Sequence, residues 1–79
     1  MSRLPQVYRR KLGREQADGL WDGRAITVDA RLSGRKEMRV LLHEGMHWAC
    51  KYMDEGEVDR VSAALARLMW QQGYRRTDT

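Results

Sequence analysis

Val40-Leu41-Leu42-His43-Glu44-Gly45-Met46-His47 lies within a segment of helical periodicity and holds both histidines of the chain. One α-helical turn takes 3.6 residues, so positions 43 and 47 stack on one face about 6 Å apart, where two imidazole nitrogens can share a tetrahedral Zn²⁺. Glu44 falls beside such an ion without ligating it, placed to take a proton from a water the ion activates. His43 and His47 are therefore candidate metal ligands, and Glu44 is the candidate general base. The plainer alternative is a solvated histidine pair next to an ordinary helix former. A chance H-E-x-x-H is rare in so short a chain, so the surrounding sequence has to decide.

Upstream, Ser33 can cap a helix starting near Gly34 or Arg35, and the apolar spacing at 38, 41, 42, 45 or 46, 49 and 52 or 53 carries that helix to about Met53. Val40-Leu41-Leu42 would anchor the histidine-bearing turn in the core, as a rigid metal site requires. Downstream, Asp54 ends this helix and caps a second, with Glu57 at capping-box spacing. Val58, Val61, Leu65, Leu68 and Met69 then make one stripe that stops before Gly73. The short junction folds the two helices back on each other and brings the start of the second toward His47.

A catalytic zinc site takes three protein ligands and leaves the fourth position to water, so a carboxylate is needed besides the histidines. The nearby acids are Asp54, Glu55, Glu57 and Asp59. Capping uses Asp54 and Glu57, which leaves Glu55 and Asp59 on a common face at i, i+4. Glu55 is the favoured third ligand, with Glu57 the alternative. Asp59 suits an outer position, accepting a hydrogen bond from the free ring N–H of a ligand histidine. Compensation of the helix dipole is the simpler role open to each of these acids. Cys50, three residues past His47, is read as a packing residue in preference to a ligand.

Gly19-Leu20-Trp21 and Ala25-Ile26-Thr27-Val28 flank Asp22-Gly23, a β-hairpin signal with its tip at that dipeptide. Ile26 and Val28 should face the core and Thr27 should face out. Val7 to Leu12 is a candidate strand with Val7, Tyr8 and Leu12 as packing groups. The expectation is an α+β domain: a small N-terminal sheet on two long helices. Its divisions are a basic N-terminal strand or arm over 1–18, a core over 19–72 and a tail over 73–79.

Seventy-nine residues make one domain, and a domain of this size buries only ~60% of the surface its unfolded chain exposes. Ligation present only in the folded state would add to its stability. The net charge of +4 concentrates in Arg3, Arg9, Arg10, Lys11 and Arg14, with Arg75 and Arg76 near the end. Such clusters fit nucleic acid or an acidic partner, but they are also ordinary guards on sheet edges, and nucleic acid is not favoured. One cysteine cannot form an internal disulfide, and no apolar run reaches the ~20 residues of a membrane span. The expected setting is reducing cytoplasm, with no membrane partner.

A hairpin, a long helix bearing H-E-x-x-H and a second helix opening Glu-x-x-x-Asp (Glu55 to Asp59) together resemble the gluzincin branch of the zincin metallopeptidases. The order of elements is similar to that of ImmA/IrrE-type peptidases and of short zincin-like proteins common in bacteriophage genomes. In those, stretches like Ile26-Thr27-Val28-Asp29 and Leu41-Leu42-His43-Glu44 precede a helix like Glu55 through Leu68. The resemblance spans Gly19 to Trp70 and lacks the second lobe of larger members. It implies Zn²⁺ as cofactor, a protein or peptide substrate, attack of activated water on a peptide carbonyl with Glu44 as base, and a location in host cytoplasm for a phage-encoded chain. It also implies that the edge of the Ala25–Val28 strand pairs with extended substrate. Tyr52, Tyr74 and Arg75 are candidates to stabilise developing negative charge, and no spacing selects among them. The tail from Gly73 is open to three readings: a disordered end, a docking segment or a lid over the metal. The competing functions are a non-catalytic, zinc-stabilised protein-binding module and a basic nucleic-acid-associated protein. Retention of Glu44 favours chemistry, because a purely structural site needs no base beside its metal.

Overall fold

The computed structural model describes residues 3–13 and 17–77. Arg14 of the basic N-terminal cluster and the last two tail positions lie outside the described residues. The elements are strands β1 (Gln6–Arg10), β2 (Gly19–Trp21) and β3 (Ala25–Asp29), followed by helices α1 (Gly34–Ala49) and α2 (Glu55–Gln71). This is an α+β fold, with a three-stranded sheet in the order β1-β3-β2.

The hairpin forms because Asp22 supplies its own turn chemistry: its carboxylate accepts from the backbone N–H of Arg24 and of Ala25, both at 2.8 Å. Gly23 takes φ of +90° there, a conformation that costs other residues steric energy. Since Asp22 and Ala25 are already bonded, Asp22 N–H to Ala25 C=O, the tip is Gly23-Arg24, one residue beyond the expected dipeptide.

β3 then becomes the middle strand, antiparallel to β2 and parallel to β1. Arg9, Val28 and Gly19 share one row across the sheet, and Tyr8, Thr27 and Leu20 share the next. Ile26 and Val28 are buried on the helix side, as their alternation requires. Thr27 departs from expectation. It points away from Ile26 and Val28 but is buried too, because a central strand has Tyr8 and Leu20 on either flank.

Leu12 lies past the end of β1 and is buried. Its N–H donates to Asp29 Oδ2 at 3.2 Å, while Arg31 grips the same carboxylate through its backbone N–H and guanidinium. Those bonds, the Arg31 side chain's above all, hold the Asp29 carboxyl well below the usual carboxylate range and fasten the loop after β1 to the end of β3.

Ser33 takes the N-cap position of α1 with extended backbone but makes no capping side-chain bond. The helix ends at Ala49, four residues before the expected Met53, with Cys50 N–H closing on Met46 C=O. A helix running to Met53 would leave no chain to reverse direction before the Asp54 cap. α2 begins as expected: Asp54 Oδ1 accepts from Glu57 N–H at 2.8 Å.

Val58 of the expected stripe is buried and Val61 and Met69 are half-buried, but the buried line of α2 continues from Val58 through Ser62 and Ala66, while Leu65 and Leu68 are 40% and 55% exposed. Small side chains let α1 and α2 approach closely, whereas a reading by apolarity alone ranks leucine above serine. Ser62 Oγ is satisfied by the Asp59 carbonyl at 3.2 Å. Among the described residues no helix is long and apolar enough to cross a membrane.

Candidate metal centre

Because α1 and α2 run antiparallel across a short connection, the C-terminal half of α1 faces the first turn of α2. Glu55, the first residue of α2, reaches back to both histidines. Its Oε1 lies 2.7 Å from His43 Nε2 and its Oε2 lies 3.0 Å from His47 Nε2. The two imidazole rings stand 5.0 Å apart at 64°. One ligand-capable atom from each of His43, His47 and Glu55 falls within 4.8 Å of the others.

The donor set suits zinc: two imidazole nitrogens and a carboxylate. Ligand atoms ~2.0–2.2 Å from a tetrahedral ion stand ~3.3–3.6 Å apart, so the nitrogen–oxygen separations of 2.7 and 3.0 Å here need to open by about 0.3–0.9 Å. Glu55 is free to move that far, with its side chain 71% exposed. His43 Nε2 is within hydrogen-bond distance of the carboxylate and His47 Nε2 within ion-pair distance; metal binding requires both nitrogens unprotonated, so a proton carried on either has to move or leave. Glu57, the alternative ligand, is outside this group. Cys50 is exposed and also outside it.

Asp59 Oδ1 stands 3.7 Å from His43 Nδ1 and 3.0 Å from Arg39 Nη2. It is on the ring face expected for an orienting carboxylate, but at ion-pair distance and not hydrogen-bond distance. Arg39 is its bonded partner. Arg39 precedes His43 by four residues, so helical spacing alone could have placed it at the site.

Glu44 is half-buried against the sheet. A Cβ added to Gly19 would come within 2.6 Å of Val40 Cγ1 and 3.1 Å of Glu44 Cγ, so the missing side chain at position 19 is what lets β2 close over Glu44. That burial pushes the Glu44 carboxyl above its ordinary value; the neighbouring His43 and His47 oppose the shift and the charge of Glu55 adds to it. A carboxyl moved upward toward neutrality is better matched to proton transfer near pH 7.

Two clefts flank the motif. One of about 250 Å³ is lined by Gly19, Val40, His43, Glu44, Arg39 and Asp59. The other, of about 580 Å³, is lined by Trp21, Gly23, His47, Trp48, Lys51 and Arg3. Trp21, Trp48 and Lys51 escape a reading of the sequence because only the folded position of β2 brings the hairpin to His47.

Two expectations fail on topology. The Ala25–Val28 strand is paired on both sides, so it has no exposed edge; the edge strand beside α1 is β2. Tyr74 and Arg75 are not at this centre, and residues 73–77 form no lid over it. Gly34 meets Trp70 at the other end of the helix pair, about 20 Å from His47 at 1.5 Å rise per residue. Arg75 stacks there over the Trp70 ring, 3.4 Å from its centroid. Tyr52, in the connection between the helices, is fully exposed.

In comparisons with known proteins, no family model, no curated protein and no solved structure matches this chain.

Proposed function

We propose that the chain is a minimal zincin-like, zinc-dependent metalloendopeptidase of the gluzincin kind, in which His43, His47 and Glu55 hold Zn²⁺ and Glu44 is the general base. The single observation that supports this most is the convergence of both Nε2 atoms on the Glu55 carboxylate, with Glu44 half-buried beside them and displaced upward in pKa. Zn²⁺, when bound, supplies Lewis acidity, polarising a carbonyl and lowering the pKa of a water toward ~7.

Glu44 accepts the proton of the attacking water and returns it to the leaving amine nitrogen. Gly19 holds β2 close enough to keep Glu44 desolvated. The outer edge of β2 runs past the motif, where an extended peptide can add as a strand. Asp59, tied to Arg39, orients His43 electrostatically.

The basic clusters lend little to a nucleic-acid reading, since Arg9 and Arg76 are both engaged with Glu37. A non-catalytic zinc-stabilised module predicts the same metal and no hydrolysis. The deciding experiment is elemental analysis of purified protein together with cleavage of an unfolded protein such as reduced casein. We expect one zinc per chain, cleavage by wild type, and a loss of ~10²–10⁴-fold in Glu44→Gln at unchanged zinc content. Full zinc with no cleavage by wild type supports the module; cleavage undiminished in Glu44→Gln removes the mechanism.

A further inference from the structure

We propose that the groove between the start of α1 and the end of α2 docks a short peptide segment of a partner protein, one in which large apolar side chains are flanked by carboxylates. The groove encloses about 720 Å³, within the ~300–1,000 Å³ typical of ligand sites. Met38, Leu41, Leu42, Met69 and Trp70 line it. Methionine side chains adapt to varied apolar partners, and Trp, Tyr, Met and Arg are the residues enriched at the centres of protein interfaces. Tyr74 and three arginines complete that composition here.

Charge selects the class of peptide. Arg9 and Arg76 share the single carboxylate of Glu37, at 2.9 and 3.0 Å. Arg75 has the Trp70 ring and the backbone carbonyls of Trp70 and Tyr74 as partners, but no carboxylate among the described residues. A planar guanidinium held on an aromatic face, with its positive charge uncompensated, is prepared for bidentate pairing with an incoming carboxylate. An apolar floor beside it accepts the neighbouring side chains of the same segment. A nucleic-acid backbone would leave that floor unused.

The groove is independent of the metal centre. Its one acid, Glu37, is engaged by Arg9 and Arg76, and the site stands or falls apart from any peptidase activity.

The test is nitrogen-15 NMR of the full chain with three probes: acetyl-Asp-Glu-Leu-Leu-Asp-Glu-amide, its counterpart with lysine at every acidic position, and decanoate. We expect the acidic peptide to shift the Trp70 indole N–H and the amides of Gly34, Met38 and Met69, saturably below ~1 mM, while the Trp21 and Trp48 indoles stay in place. The lysine counterpart should shift none of them. Arg75→Glu should weaken binding roughly tenfold, and if that variant proves unstable the wild-type shifts decide alone. Equal binding of both peptides, shifts centred on Trp21 and Trp48, or no shift at millimolar peptide overturns the proposal. Saturation by decanoate with the peptide silent also overturns it, assigning the groove to anionic amphiphiles.

Discussion

Glu37 and Glu44 lie two turns apart on α1, yet Glu37 receives guanidinium groups from β1 and from the chain's C-terminal end, while Glu44 has no ion-pair partner among the described residues. Glu37 is buried and Glu44 half-buried. The fold neutralises one with two arginines and leaves the other beside two imidazoles. A carboxylate bonded by two guanidinium groups from distant parts of the chain serves as a structural tie. One that is desolvated without a cation keeps a raised pKa and can exchange protons. The two ends of a single helix pair thus differ in what their acids are free to do.

The largest loss is expected at Glu55, the acid that reaches both histidines. Removing an outer partner of a metal ligand costs about 10–100-fold in metal affinity, so if Glu55 is the ligand we propose, its loss should cost more than ~100-fold. Zinc affinity by competition with a chromophoric chelator should therefore collapse in Glu55→Ala and hold in Glu57→Ala. The reverse order would move the third ligand to Glu57.

A smaller effect is expected at Gly19. Alanine there drives a methyl into Val40 and Glu44, and overpacking of this sort costs ~1–3 kcal/mol. Chemical denaturation should register that loss. If β2 instead shifts outward, Glu44 regains water and cleavage should fall while zinc affinity stays near wild type. An unchanged midpoint with unchanged activity would mean that β2 does not set the burial of Glu44.

What was legible in the sequence follows from range. His43, Glu44, His47 and Glu55 fall within one helix and the first residue of the next, where a helical period and a capping aspartate fix relative position. The partners of Glu37 lie at positions 9 and 76, and Gly19 meets Glu44 only after β3 has taken the middle of the sheet. No local period encodes strand order or the return of the chain after α2. The α2 interface escaped for another reason: Ser62 and Ala66 are chosen for size, and an apolarity pattern over Leu65 and Leu68 points to the wrong face. Thr27 is buried for a related reason, since alternation gives the side of the sheet a residue points to but not what its neighbours cover.

The smallest expected effect sharpens the comparison at the cap. Capping-box spacing anticipates reciprocal bonds between Asp54 and Glu57, but the bond present is the one from Glu57 N–H to Asp54 Oδ1, at 2.8 Å. Asp54→Ala should then cost ~1 kcal/mol, and Glu57→Ala distinctly less. Because Glu55 is the residue immediately after the cap, fraying of this turn also frees the carboxylate that bridges His43 and His47. Asp54→Ala should accordingly lower zinc affinity by a few-fold, although Asp54 lies outside the group of His43, His47 and Glu55. The loss should be a small fraction of that in Glu55→Ala, since order is lost and not a donor atom. If zinc affinity in Asp54→Ala is unchanged while stability drops, Glu55 is held by the histidines themselves, and the open end of the helix pair is organised by its own contacts and not by the helix that delivers it.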